Sequence, residues 1–162
     1  MRFHTLQIIR NKNYLIRREN RPNNFLGPQD ACHPDELEFC LMEAGYEEVT
    51  VETKRFVQNE GHYTLIPPGA VHSSESKSKA TSEIVFHFSN PFIHETAQTM
   101  GLPCPQFNFQ NQIPISSTLY SFIKILKAEL SEQGQNTSTT LALDSLATYL
   151  VSLILRTHVP HL

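Results

Sequence analysis

The stretch "EGHYTLIPPGAVHSSES", residues 60–76, decides the fold class. Gly61 begins a turn, and the alternating apolar run that follows it stops abruptly at Pro67, Pro68 and Gly69. Proline lacks the amide donor that a central strand needs, and glycine permits a sharp bend, so one strand ends here and another begins near His72. The motif therefore predicts two short strands joined by a bend that holds a histidine at a fixed offset.

Further short runs rich in Val, Ile, Phe, Tyr and Thr lie between turn signals up to about residue 112. In "SEIVFHFS", residues 82–89, alternation places Ile84, Phe86 and Phe88 on one face of a strand and Val85 and His87 on the other. Short strands at this spacing are typical of an all-β sandwich or barrel. We expect a β-barrel that spans roughly residues 5–110, in a domain of residues 1–112.

The period of the apolar pattern changes after Gln112, which predicts helices near 117–133 and 138–157. Ser116 or Ser117 suits the N-cap of the first helix, and Gly134 suits its C-cap. Because the loop between the helices is short, residues 113–162 should form an antiparallel helical hairpin. The second helix has an apolar stripe wider than one supporting layer covers. We therefore predict a homodimer interface at Leu143, Leu146, Leu150 and Ile154; the alternative is a helix fully buried on its own domain.

Composition and charge exclude several functional classes. A formal net charge of −3 gives no basic footprint for unaided nucleic-acid binding. The three cysteines form no CxxC pair, which argues against a secreted disulfide framework and favours the cytoplasm. The most apolar segment, residues 141–155, is too short and too polar to predict a membrane span. No GxSxG motif or phosphate-binding glycine loop is present, so no catalytic residue is predicted.

Ordered motifs run through the chain from about residue 25: His33, Glu38 and Gly45 in "HPDELEFCLMEAGY", residues 33–46; Pro67, Pro68, Gly69 and His72 in residues 60–76; His87 and Phe88; and the helices of residues 116–158. The first two stretches together resemble the half-motifs of the cupin superfamily, small jelly-roll barrels. The whole set resembles more closely the N-terminal effector-binding domain of AraC-type transcription regulators. This resemblance implies a cupin-like barrel followed by two antiparallel helices that serve dimerisation.

The resemblance implies a small-molecule sensor rather than an enzyme. The unknown effector would bind inside the barrel, and alternation from Glu38 and His87 adds neighbours on the same faces. The candidate ligand-binding residues are His33, Glu38, Cys40, Met42, His72, Val85 and His87. The family's helix-turn-helix units do not follow His158, so contact with DNA is expected only through a part absent from this chain. The N-terminal arm of residues 1–20, with Arg10, Arg17 and Arg18 and with Arg21 directly after it, suggests either an arm that covers the ligand or a basic solvated segment.

Two alternatives remain open at this point. In a metal-dependent cupin enzyme, His33, Glu38 and His72 would supply the two imidazoles and one carboxylate typical of non-haem iron oxygenases. Metal-binding cupins usually offer two histidines before the glutamate, whereas only His33 is present here. The third possibility is a dimerisation module whose barrel is filled by inward side chains such as Phe39, Phe86 and Phe88.

Overall fold

The computed structural model describes residues 4–27, 29–131 and 137–159, and this part of the chain is mainly β. The prediction of the fold class is confirmed. The strands are β1 (His4–Arg10), β2 (Tyr14–Pro22), β3 (Glu36–Ala44), β4 (Tyr46–Val51), β5 (Lys54–Asn59), β6 (His62–Ile66), β7 (His72–Ser76), β8 (Ala80–Ser89) and β9 (Gln110–Pro114). The helices are α1 (Asn90–Thr99), α2 (Ser117–Ser131) and α3 (Thr137–His158).

The strands form two antiparallel sheets, one in the order β1-β2-β8-β3-β6-β9 and one in the order β5-β4-β7. In the larger sheet Glu38 pairs with His87, and Cys40 pairs with Val85. These side chains share one face because alternate residues of a strand point the same way. Phe39 pairs with Phe86 and lies on the opposite face. Their aromatic rings therefore do not fill the space beside Glu38, and the filled-barrel alternative is wrong.

A tight hairpin joins β3 to β4 at Gly45, the last residue of the first half-motif. Gly45 has φ +79°, a conformation that favours glycine, and a Cβ atom there would overlap Ser78 and the Ala80 carbonyl. The glycine therefore permits both the turn and the close approach of the chain between β7 and β8.

The chain divides into two compact units whose boundary differs from the predicted one at residue 112. The first contains the described residues up to Asn90 together with Asn108–Pro114, and the second contains Pro91–Phe107 and the described residues from Ile115. Helix α1 was not predicted from the sequence, although Pro91 in its first turn is a common start signal for a helix. Its buried residues are Phe92, Ile93, Thr96 and Ala97.

The two predicted helices are present with slightly different bounds. Ser116 is the N-cap of α2, because its hydroxyl oxygen accepts a hydrogen bond from the Leu119 amide at 3.2 Å. The predicted C-cap, Gly134, lies outside the described residues. From sequence, residues 141–155 were judged too short and too polar to span a membrane. Helix α3 is longer than that segment, and its residues 140–158 are long and apolar enough for a membrane span. Core helices of soluble proteins meet the same criterion, so this observation is weak evidence for a membrane.

Three of the four predicted interface residues are buried within the single chain. Leu143, Leu150 and Ile154 are each at most 3% exposed without any partner chain. These residues are therefore part of the helical core, and the periodicity alone could not tell a core stripe from an interface stripe. Leu146 is half-buried and is the one member of the predicted set with free apolar surface.

From His4 onward the N-terminal segment is not a solvated basic stretch. Its described residues form β1 and β2, and β2 pairs with β8 along its whole length. That this segment covers a ligand stays a prediction. Arg10 is exposed, whereas Arg18 pairs with Glu43 at 2.8 Å. Arg17 and Arg21 point into the space between the sheets, as described below.

Candidate functional site

The Pro-Pro-Gly bend of the second half-motif is a β-turn that fixes two histidines. The Ala70 amide donates a hydrogen bond to the Pro67 carbonyl at 3.2 Å, and Gly69 has φ +82°, as the third position of a type II turn requires. The Gly69 amide in turn donates to the His33 carbonyl at 2.9 Å. His72 exchanges two backbone hydrogen bonds with Ala31, each 2.9 Å. The bend therefore holds the segments of His33 and His72 side by side.

These two histidines meet Glu38 and His87 in one cluster, which we call the histidine cluster. The Nε2 atom of His72 lies 3.1 Å from Oε2 of Glu38, and Nε2 of His33 lies 3.5 Å from the same oxygen. The ring centroids of His33 and His87 are 4.5 Å apart. The predicted proximity of His72 to Glu38 is confirmed. The roles of these residues in binding stay predictions.

Burial and hydrogen bonding set the charges in the histidine cluster. Burial alone would raise the pKa of Glu38, but the hydrogen bond from His72 and the positive charges nearby lower it to about 2. Burial opposes the charging of His72, yet the hydrogen bond to Glu38 outweighs it and raises the pKa of His72. Burial lowers the pKa of His87 despite the charge of Glu38. At neutral pH the cluster thus combines an ionised carboxylate with a His87 ring that favours the neutral form.

A divalent metal ion fits part of this cluster. Among the described residues, His33, Glu38 and His87 each offer one ligand atom within 4.8 Å of the others. That spacing is comparable to the roughly 4–5 Å across the coordination shell of a divalent ion. Both ring nitrogens of His87 are buried without a hydrogen bond in the described part of the chain, although Nδ1 lies 3.2 Å from Oε2 of Glu36. The sequence predicted His72 as the third ligand, and the geometry places His87 there instead.

A cavity of about 130 Å³ lies between the two sheets, next to the histidine cluster. It is smaller than the roughly 300–1,000 Å³ of pockets for drug-sized ligands and corresponds to about four water molecules. Five predicted ligand-binding residues line it: His33, Glu38, Cys40, His72 and Val85. Arg17 and Arg21, from the segment suggested as a ligand-covering arm, also line it, as do Glu47, Gln58 and Glu83, which were not assigned to the site from sequence.

Two predicted residues stand apart from the cavity wall. Met42 is 1% exposed and is not among the residues that line the cavity. Met42 pairs in register with Glu83, and the shift in the pairing of β3 with β8 follows only after Met42, so the strand register does not explain why Met42 stands apart. His87 belongs to the histidine cluster but is likewise not among the lining residues.

The far end of the cavity carries a second charged group, which we call the Arg21 cluster: Arg17, Glu19, Arg21, Glu47 and Glu83. Arg21 is 4% exposed, and its Nη1 donates hydrogen bonds to the two Glu47 oxygens at 3.0 and 3.1 Å. Its Nε and Nη2 donate to Oε2 of Glu19 at 3.0 and 2.9 Å. Arg21 also contacts Glu83, and Arg17 lies 2.6 Å from Oε1 of Glu19.

A sequence signal for the Arg21 cluster exists in "RRENR", residues 17–21. Arg17, Glu19 and Arg21 occupy alternate positions and therefore share one face of β2. A face with three charged side chains is unusual for a buried strand. Their partners Glu47 and Glu83 lie 26 and 62 positions away from Arg21 along the chain. Only the strand order brings them together, so the sequence did not show that Arg17 and Arg21 belong to a buried cluster of charges.

Comparisons with known proteins agree with this architecture. The family model of the AraC-like ligand binding domain matches residues 13–151. The Schizosaccharomyces pombe Cnp3 cupin domain is similar at 17% identity and TM-score 0.50, over 57% of this chain and 63% of that one. An RmlC-like cupin with a double-stranded β-helix fold from Methanocaldococcus jannaschii is similar at 13% identity and TM-score 0.50, over 56% and 83% of the two chains.

The structural likenesses show the fold alone, and the comparison with curated proteins gave no match. The aligned region covers less than two thirds of the Cnp3 domain. The family model, by contrast, spans most of the chain, including strands β2–β9, helix α2 and much of α3. The chain belongs to the family of AraC-like ligand binding domains.

Proposed function

We propose that this chain is the small-molecule-sensing domain of an AraC-type transcription regulator. It acts as a homodimer in the cytoplasm and reaches DNA through a part that these 162 residues do not contain. The observation that carries the proposal is the cavity between the sheets, which is lined by charged groups at both of its ends. The match to a family of ligand-binding domains supports the same conclusion. The absence of any disulfide among the three cysteines supports a reducing compartment.

The polar lining explains why a ligand would bind here rather than water alone. Buried charged groups are costly unless they are paired, and this cavity keeps several of them in one small space. A ligand with matching polar atoms gains hydrogen bonds from groups that are already held in place by the sheets, so little ordering cost remains. Ligand binding would then shift the populations of two states of the dimer.

A thermal-stability screen with small polar compounds tests this proposal. A ligand at 100 times its Kd stabilises the folded state by about 2.7 kcal/mol. Val85→Phe should abolish the stabilisation, because Val85 lines the cavity and the larger ring occupies its space. Val57→Phe is the matched control, since Val57 is 44% exposed. Equal stabilisation of both variants would contradict binding in the cavity.

The dimer interface that we propose differs from the one predicted by periodicity. Because Leu143, Leu150 and Ile154 are core residues, we assign the contact to the face of α3 that carries Leu146 and Tyr149, together with half-buried Leu153. These residues lie three and four positions apart and so share one side of the helix. A two-fold pair of copies would bury the same apolar patch from each chain.

Sedimentation of the variant Leu146→Asp with Leu153→Asp tests the interface. The charged groups would enter an apolar contact, so the variant should be a folded monomer. Thr148→Asp is the matched control on an exposed position of the same helix and should remain dimeric. A folded dimer of the double variant would refute this interface.

We also propose that the histidine cluster binds a divalent metal ion, because the buried ring nitrogens of His87 have no hydrogen bond in the described structure. Neutral imidazoles together with a carboxylate are typical ligands of such ions. Cobalt titration should give a visible absorption band that His87→Gln abolishes. His94→Gln, at an exposed position outside the cluster, should leave the band unchanged. A band that persists in His87→Gln would contradict the site.

The family match favours sensing over catalysis, so we assign no reaction.

A further inference from the structure

The charges of the Arg21 cluster do not balance. Two guanidinium groups, Arg17 and Arg21, face three carboxyl groups, Glu19, Glu47 and Glu83. The side chains of Glu19, Glu47 and Glu83 are each at most 4% exposed, so bulk water does not solvate the excess negative charge. One carboxyl group of the cluster therefore has no counter-charge of its own.

Glu83 is the carboxyl group in surplus. Glu19 is bound by both arginines, and Glu47 accepts two hydrogen bonds from Arg21 and one from the Thr81 hydroxyl. Glu83 contacts only Arg21 among these groups, and its Oε1 makes no hydrogen bond of acceptable geometry in the described structure. Burial raises the pKa of Glu83 to about 8 in spite of the Arg21 charge. Glu83 also lines the cavity.

We propose that the cavity binds a small aliphatic ammonium compound whose charged nitrogen lies against the carboxylate of Glu83. This inference rests on the proposed sensing function and names the chemical class of the effector. The volume of about 130 Å³ suits a molecule of roughly four to six non-hydrogen atoms. An ammonium group supplies the missing positive charge, whereas an anion would add to the excess of carboxylates.

The proposal predicts coupling between binding and proton release. The groups that face Glu83 are Arg17, Glu19 and Arg21 from β2, Glu47 from β4, and the Cys40 thiol from β3, whose pKa is raised by burial. Because burial raises the pKa of Glu83 to about 8, we expect this group to hold a proton at neutral pH before a ligand binds. An ammonium ligand favours its ionised form, so one proton leaves as the ligand binds. Affinity should then rise about tenfold per pH unit below the pKa of Glu83.

Titrations followed by amide NMR with ethanolamine, ethylene glycol and glycolate test the class directly, since the three probes have similar size and different charge. We expect ethanolamine to bind, with its Kd falling roughly tenfold from pH 6 to pH 7, and the other two to bind at least tenfold more weakly. Glu83→Gln should weaken ethanolamine binding at pH 7 at least tenfold and remove its pH dependence. This variant should fold, because the amide has the shape of the protonated carboxyl group.

Glu43→Gln is the matched control, since Glu43 pairs with Arg18 and does not line the cavity. It should bind ethanolamine as the unaltered protein does. If glycolate or ethylene glycol binds, ethanolamine does not, and Val85→Phe abolishes the binding, the ammonium class is wrong but the cavity is still the sensing site. Ethanolamine binding that persists in Val85→Phe would overturn both. Binding that Glu83→Gln does not weaken, or no binding of ethanolamine, would overturn the assignment to Glu83.

Discussion

Glu83 should make the folded protein less stable as the pH rises. Its pKa is about 8 in the folded chain and 4.5 in its ordinary state, because burial disfavours the charged form. The folded state therefore keeps a proton that the unfolded state loses. Stability from this group is fully present below about pH 4.5 and is lost as the pH rises towards 8. The loss is about 1.4 kcal/mol per pH unit, or roughly 2–3 kcal/mol between pH 5 and pH 7.

The variant Glu83→Gln isolates this effect, since the amide does not titrate. We compare the free energy of unfolding of the variant with that of the unaltered protein. The variant should gain roughly 2–3 kcal/mol of stability relative to the unaltered protein from pH 5 to pH 7. Urea unfolding followed by far-UV circular dichroism measures it, because the chain has no tryptophan for fluorescence. Other titrating groups are common to both proteins and largely cancel in the difference.

Glu43→Gln provides the control for this comparison. Glu43 pairs with Arg18 at 2.8 Å and lies outside the Arg21 cluster, so Glu43→Gln should not reproduce the rise of this difference from pH 5 to pH 7. A difference for Glu83→Gln that stays constant with pH would refute the reasoning, because it would mean that Glu83 is ionised in the folded chain throughout.

Three further predictions concern the remaining parts of the structure. Glu38→Gln should lower the free energy of unfolding most between about pH 4.5 and pH 6.5. The lowered pKa of Glu38 stabilises the folded state fully only above about pH 4.5, and the raised pKa of His72 does so fully only below about pH 6.5. Urea unfolding across pH 3–8 measures this loss, and a loss that does not vary with pH would contradict the prediction. Gly69→Ala should destabilise the protein by about 1–2 kcal/mol, because φ is +82° at this position. A Cβ atom there meets no atom within 4 Å, so backbone strain is the only cost. An unchanged midpoint of urea unfolding would exclude such strain at the bend. Leu150→Ala should cost about 2–5 kcal/mol and Leu146→Ala clearly less, as thermal unfolding can show, and equal costs would contradict the division into core and surface faces of α3.

The features predicted correctly from sequence are those that local patterns encode. Alternation places Val85 and His87 on one face of β8, and the Pro-Pro-Gly bend fixes the approach of His72 to Glu38. These consequences need only the geometry of one strand or one turn.

The features that were missed depend on partners far away in the chain. From sequence, Arg21 could belong to a ligand-covering arm or to a solvated segment, and only the fold supplies its partners Glu47 and Glu83. The apolar stripe of α3 suggested an interface because periodicity reports which residues avoid water and not which chain covers them. The burial of Leu150 within one chain resolves that ambiguity.

A crystal structure of the protein with the compound that most stabilises it tests the central claim most directly. The account predicts that the compound occupies the cavity between the two sheets, with polar atoms within about 3.5 Å of Glu38, His72 or Glu83. The same compound bound elsewhere on the chain, with the cavity unchanged, would contradict the claim that this cavity is the sensing site.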